Sequence, residues 1–136
     1  MIARSFSSTL GVLAAAVAVI LAPGTGVWAQ GKWVAPPEAK NLKNPLAKSD
    51  KVIAEGKKIA ETNCVPCHGP KGLGDGPAAV ALPLKPANWT SPAVQAESDG
   101  ELFWKLTNGR GPMPPWKHLS ENDRWTLVQY IRSLKK

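Results

Sequence analysis

Apolar residues recur at helical spacing in three segments of the chain, and no segment alternates between apolar and polar residues as a half-buried strand would. The first helical face consists of Val52, Ile53, Gly56, Ile59 and Ala60. We predict that this helix begins near Ser49 or Asp50 and ends about Asn63. A glycine inside a helix costs about 1 kcal/mol relative to alanine, so Gly56 indicates that another backbone or a ring packs closely there.

The other two helices are indicated mainly by their start signals. Ser98 and Glu101 form a capping box, in which each side chain bonds the backbone amide of the other residue. A short helix is predicted from this box to Thr107, with Gly109 just beyond its end. Ser120 caps the last helix, and acidic residues follow it at once. The apolar face of this last helix consists of Trp125, Leu127, Val128, Ile131 and Leu134.

Loops rich in proline and glycine connect these helices, chiefly over residues 69–89 and 111–116. Residues 78–82 could add one short helical turn within the first of these loops. The pattern therefore predicts an all-α fold of about three to four short helices joined by long loops.

Residues 1–29 have the layout of a secretory signal peptide. Arg4 is followed by an apolar run of about 13 residues over 10–22, then by a Pro-Gly break and a small residue, Ala29. The run is shorter than the roughly 20 residues that a membrane span needs. We expect cleavage after Ala29 and no transmembrane span in the mature chain. An uncleaved N-terminal anchor is the alternative, because flanking residues can lengthen a short span.

The remaining chain is long enough for one domain. Residues 30–48 are rich in proline and lysine and show little periodicity, so we predict an extended arm. Residues 49–136 contain the three helices and form the predicted domain. A domain of this size folds more readily when a large apolar group joins its core.

The candidate chemistry lies at residues 64–68, which read Cys-Val-Pro-Cys-His. This is the C-x-x-C-H pattern of c-type haem attachment. Two thiols three residues apart can each add to one vinyl group of a haem, and His68 is then placed to ligate the iron. The other nitrogen of the His68 ring needs an acceptor that fixes its tautomer, and the carbonyls of Pro83 and Pro86 are candidates.

Other uses of the two cysteines fit less well. A plain disulfide between Cys64 and Cys67 is the simplest alternative in an exported protein. A zinc site needs about four ligands, and the adjacent Cys67 and His68 are awkward for closing one tetrahedron. A thioredoxin-like redox pair would need a βαβ context, which the pattern lacks.

Met113 is the candidate for the second axial ligand of the iron. It is the only methionine after residue 29, and prolines on both sides stiffen its loop. His118 is the alternative ligand, and bis-histidine ligation would give a lower reduction potential than histidine and methionine.

With these residues, the sequence resembles bacterial class I c-type cytochromes with a single haem ligated by histidine and methionine. The resemblance covers residues 49–136, including the runs 68–78 and 82–90 and the segment 108–116. It implies the cytochrome c fold, with one covalent haem c, His68 on one side of it and Met113 on the other. It also implies that the first and last helices cross near Gly56, against Tyr130 or Ile131.

The expected function is one-electron transfer in the periplasm, with the iron cycling between ferric and ferrous states. The protein would be a free shuttle or an electron-transfer subunit of a respiratory reductase, oxidase or dehydrogenase complex, and not itself an enzyme. A peroxidase or gas-binding haem protein is one alternative, but no distal acid–base pair stands out. A haem domain or sensor docked permanently to a larger complex is another.

The charge of the chain bears on its partners. The formal net charge is +7, and removal of residues 1–29 would leave +6. Lysines crowd the early part of the mature chain, which is either an ordinary solvated face or a surface that steers the protein toward an acidic redox partner. No nucleic-acid-binding motif is present, so we expect protein redox partners and no nucleic acid.

Overall fold

The computed structural model describes residues 31–136, so the predicted signal peptide at 1–29 lies outside the described residues. The described part contains helices and loops and no β-strand. Five helices are α-helical: α1 (Asp50–Asn63), α2 (Val65–His68), α3 (Pro92–Gln95), α4 (Asp99–Asn108) and α5 (Glu121–Ser133). Two short segments are 3₁₀ helices: Pro37–Asn41 and Ala79–Ala81. The predicted all-α class is confirmed, and α2 and α3 are single turns beside the three longer helices.

The three longer helices begin at the predicted caps. The Ser49 hydroxyl accepts a hydrogen bond from the Val52 amide at 3.3 Å. At α4, Ser98 accepts from the Glu101 amide at 3.2 Å, and the Glu101 carboxylate accepts from the Ser98 amide at 2.7 Å. Because these bonds satisfy amides that have no partner within the helix, the start of each helix is set locally.

Gly56 lies where α1 crosses α5. A Cβ atom at this position would lie 2.6 Å from the Thr126 carbonyl oxygen and 2.7 Å from the Tyr130 Cβ atom. The predicted close approach at Gly56 is thus confirmed, with Tyr130 and with the backbone of Thr126 as neighbours. Only glycine allows the two helices to come this close.

The hydrophobic core lies between α1, α4, α5 and the segment around Trp89. Leu127 and Val128 of α5 are fully buried at its centre. Apart from His68, the buried polar residues of the described part are Thr126 and Gln129. The core cluster consists of Ala60, Cys64, Trp89, Leu102, Leu106, Trp125, Leu127, Val128, Tyr130 and Ile131.

The segment before α1 packs on the domain. Part of it forms the 3₁₀ helix Pro37–Asn41, where the sequence predicted an extended arm. Ala39 is buried, and its carbonyl oxygen lies where a Cβ atom on Gly100 of α4 would be. The Gln129 side chain of α5 donates a hydrogen bond to the Leu46 carbonyl at 2.9 Å. Contacts with two helices therefore fix this segment in place.

None of the helices in the described region is long and apolar enough to cross a membrane.

Candidate haem-binding site

The cysteine motif occupies one helical turn at the end of α1. Cys64 caps α1, since its amide donates to the Ala60 carbonyl at 2.8 Å. Its own carbonyl accepts from the Cys67 amide at 3.1 Å and from the His68 amide at 2.8 Å, which forms α2. The chain therefore makes one helical turn after Cys64, and this turn brings Cys64, Cys67 and His68 together.

The two thiols are free and differ in their surroundings. Cys64 is 5% exposed and belongs to the core cluster, whereas Cys67 is half-buried. Burial, and secondarily the neighbouring Cys67, raises the pKa of the Cys64 thiol to about 12. Cys64 is therefore uncharged at neutral pH, as its apolar surroundings require.

His68 is buried, and one nitrogen of its ring is occupied. Its Nδ1 atom lies 3.0 Å from the Ala87 carbonyl oxygen, so Nδ1–H donates and Nε2 is left with its lone pair free. Burial lowers the pKa of His68, and the hydrogen bond to Ala87 opposes this in part. The neutral ring that results is the form that ligates a metal ion.

The acceptor of the His68 proton differs from the sequence prediction. Pro83 and Pro86 were the candidates, and the structure uses Ala87, the residue after Pro86. The Pro86 carbonyl instead packs against Gly74, where a Cβ atom would collide with it. Gly74 has φ +76°, so this approach needs a residue without a side chain.

The loop after His68 returns over the end of α2. The Gly74 amide donates to the His68 carbonyl at 2.9 Å, and the Gly76 amide donates to the Cys67 carbonyl at 3.1 Å. Farther along, the Trp89 amide donates to the Gly72 carbonyl at 2.7 Å. The first two bonds satisfy carbonyls at the end of α2, and the third brings the 86–89 segment next to His68.

Trp89 stacks on His68, a contact that sequence reasoning did not predict. The two rings stack with centroids 4.5 Å apart and an interplanar angle of 21°. The rings of Tyr130 and Trp89 are nearly perpendicular, at 87°, with centroids 6.3 Å apart. Trp89 follows the His68 acceptor Ala87 by two residues, but no periodicity in this loop could have revealed the contact.

Met113 lies in a tight turn held by its backbone. Its amide donates to the Arg110 carbonyl at 3.1 Å, and its carbonyl accepts from the Arg110 amide at 2.9 Å. The Trp116 amide donates to the Leu106 carbonyl of α4 at 3.0 Å, which attaches the end of this loop to the domain. The half-buried Met113 packs against the core cluster that also contains Cys64.

His118 lies apart from this arrangement. It is exposed, and its ring is tilted at 48° beside Trp116, with centroids 5.3 Å apart. His118 thus lacks the burial that His68 has.

The donor set suits a covalently attached haem. Two free thiols on one turn, a neutral buried imidazole with one open nitrogen and a thioether facing the same core are the groups that c-type haem uses. Within residues 31–136, no cluster of three or more His, Cys, Asp or Glu side chains could hold a free metal ion. The residues therefore fit a haem.

Comparison with known proteins gives the same class. The family model described as cytochrome c oxidase, cbb3-type, subunit III matches residues 51–131, more than half of the chain. A cbb3-type cytochrome c oxidase subunit CcoP from Azospirillum sp. (strain B510) is 36% identical over 88 residues, which are 60% of this chain. The match covers 28% of that relative, so the chain corresponds to under a third of its length.

Two solved structures are similar in both fold and sequence. One belongs to the Kuenenia stuttgartiensis reducing HAO-like protein complex Kustc0457/Kustc0458, with a TM-score of 0.62 and 33% identity over 70% of this chain and 50% of that chain. The other is the KustC0563 c-type cytochrome, with a TM-score of 0.52 and 26% identity over 60% of this chain and 98% of that chain. The predicted resemblance to c-type cytochromes is confirmed. The chain belongs to the family of cbb3-type cytochrome c oxidase subunit III, as an electron-carrying cytochrome c domain whose family implies covalently bound haem c.

Proposed function

We propose that the chain transfers one electron at a time through a single covalent haem c, whose iron alternates between ferric and ferrous states. The observation that carries this proposal is the turn at Cys64–His68, with His68 buried and its Nδ1–H bonded to the Ala87 carbonyl. This arrangement presents one imidazole nitrogen and two thiols from one short element.

Each residue of the site has a role in this proposal. Cys64 and Cys67 form the two thioether bonds to haem, and His68 is the proximal axial ligand through Nε2. Met113 is the distal axial ligand. Met113 packs against the core cluster, whereas the alternative ligand, His118, is exposed to solvent.

The partners are proposed to be redox proteins. The relative from Azospirillum is an oxidase subunit, and one similar structure belongs to a redox complex, so the chain would work as a free shuttle or as an electron-transfer subunit of such a complex. An acidic docking surface on the partner would suit the exposed lysines near the start of the domain. These are Lys40, Lys43, Lys48, Lys51, Lys57 and Lys58.

The proposed location is the periplasm, since export would follow from the signal-like segment 1–29. An uncleaved anchor formed by the same segment is the alternative. In either case the thiols must remain reduced until haem is attached in an oxidising compartment.

The test is whether haem stays with the chain after denaturation. The protein is expressed with a c-type maturation system, denatured and stripped of free haem, and its haem content is measured against the double variant C64A/C67A. We expect wild type to retain one haem per chain and the double variant to retain none. Equal loss from both proteins would contradict the proposed attachment.

The optical spectrum tests the ligands. Sharp low-spin bands on reduction, with the weak long-wavelength band of sulfur-ligated ferric haem, are expected from ligation by His68 and Met113. Low-spin bands without the sulfur band would indicate that His118 or another group is the second axial ligand. A high-spin spectrum would contradict an electron carrier with both axial positions filled.

A further inference from the structure

We propose that Trp89 is a positioning residue that lowers the reduction potential of the haem by stacking on the ring of His68. This inference rests on the proposed role of His68 as the proximal ligand. The rings of Trp89 and His68 are nearly parallel, at 21°, with centroids 4.5 Å apart. Trp89 is 6% exposed and His68 is 8% exposed, so the stacked pair is almost free of water.

Trp89 is held firmly enough to orient its neighbour. Its amide donates to the Gly72 carbonyl at 2.7 Å, and its own carbonyl accepts from the Gln95 side chain at 2.7 Å. The same Gln95 amide group donates to the Ile131 carbonyl of α5 at 2.9 Å. A Cβ atom on Gly72 would lie 2.6 Å from the indole ring, so the loop backbone closes one side of Trp89.

One short segment therefore controls the imidazole in two directions. The Ala87 carbonyl accepts a hydrogen bond from Nδ1–H, and this bond opposes rotation of the ring. Two residues later, the Trp89 indole covers the face of the ring and stops it from tilting. An imidazole held in both ways has a fixed orientation toward whatever binds Nε2.

The stacking also favours one oxidation state. An imidazole that ligates ferric iron carries more positive charge than one that ligates ferrous iron. The face of an indole ring is electron-rich and attracts positive charge, more strongly than the face of a phenyl ring does. Trp89 therefore stabilises the ferric state relative to the ferrous state, which lowers the potential.

Loss of packing alone would shift the reduction potential in the opposite direction from loss of stacking. If Trp89 served only to fill space, a smaller residue would admit water near the haem, and water stabilises the extra charge of the ferric state. The potential would then fall. The sign of the shift in a variant therefore separates the stacking role from a packing role.

The experiment measures the midpoint potential of the purified holoprotein for W89L, W89F and the control W33L. Leucine keeps the site apolar and removes the π face, and phenylalanine keeps a weaker one. Trp33 lies with its ring 5.4 Å from the Lys105 ammonium and is not stacked on His68. We expect W89L to raise the ratio of ferrous to ferric haem at a fixed ambient potential by about threefold to tenfold, tenfold being ~59 mV for one electron.

W89F should shift the ratio in the same direction but by less, and W33L should leave it at the wild-type value. If W89L does not retain a native low-spin spectrum, W89F decides the matter. An unchanged or lowered potential in the decisive variant, or an equal shift in W33L, would overturn the inference. Absence of covalent haem in the wild type would instead overturn the proposed function, so the two failures are distinguishable.

Discussion

The protein holds His68 by its side chain, whereas it holds Met113 by its backbone. The imidazole of His68 is 8% exposed, bonded at one nitrogen and stacked against Trp89. Met113 is only half-buried, and its hydrogen bonds are those of its backbone with Arg110. The two candidate ligands are thus positioned by different means.

The difference indicates which side of the site opens more easily. A side chain fixed by neighbours in the core moves only when the core is disturbed. A side chain carried by an exposed loop moves whenever the loop opens locally, which requires a smaller free energy. We therefore expect exchange of the axial ligand to occur first at Met113.

The largest effect is expected from M113A. Loss of the thioether should lower the potential by at least ~59 mV, a tenfold change in the ferrous-to-ferric ratio, because methionine ligation raises the potential. It should also allow added imidazole or azide to bind the iron, measured by optical titration. H118A is the matched control and should behave as wild type. An unchanged potential together with no binding of added ligand would contradict the assignment of Met113.

A comparison of G74A with G111A tests how firmly each loop is packed. Both glycines have positive φ, +76° and +56°, so alanine is strained at either position by about 1–2 kcal/mol. At Gly74 the new methyl group would also collide with the Pro86 carbonyl, whereas at Gly111 the nearest atom, Leu84 Cδ1, would lie 3.9 Å away. Overpacking adds about 1–3 kcal/mol. We expect denaturant unfolding to show the larger loss for G74A, and equal losses would contradict the packing difference.

The smallest effect is expected from P114A. Removing a proline from the loop should lower the free energy of unfolding by about 0.4–1 kcal/mol, because the unfolded chain gains freedom. It should also speed the binding of added ligand to the iron, measured by stopped flow. P77A, in the loop that follows His68, is the control and should lower stability to a similar extent without speeding binding. Equal acceleration in both variants would contradict the proposed difference between the two sides.

The sequence predicted the parts of the fold that depend on local signals. Ser49, Ser98 and Ser120 start the three longer helices because each hydroxyl bonds an amide three residues onward. Gly56 was recognisable because a glycine within an apolar helical face weakens the helix, so its presence there indicated a close neighbour. The all-α class followed from the same periodicity.

The parts that escaped prediction depend on the path of the loop after His68. The helices α2 and α3 have four residues each, too few for periodicity to appear. The choice of the Ala87 carbonyl over that of Pro86, and the stacking of Trp89 on His68, arise only once residues 69–89 fold back over α2. Spacing within the chain carries no information about such contacts. The roles of Cys64, Cys67, His68 and Met113 toward haem stay predictions.

The crossing of α1 and α5 at Gly56 has a consequence for the order of events during biogenesis. It joins the helix just before the cysteine motif to the last helix of the described chain, so a long stretch must be available before the crossing closes. Once closed, it leaves Cys64 only 5% exposed. A buried thiol is less accessible to an incoming haem group than the same thiol on an open chain. We expect attachment to occur on the open chain, and docking of α5 to end the period in which attachment can take place.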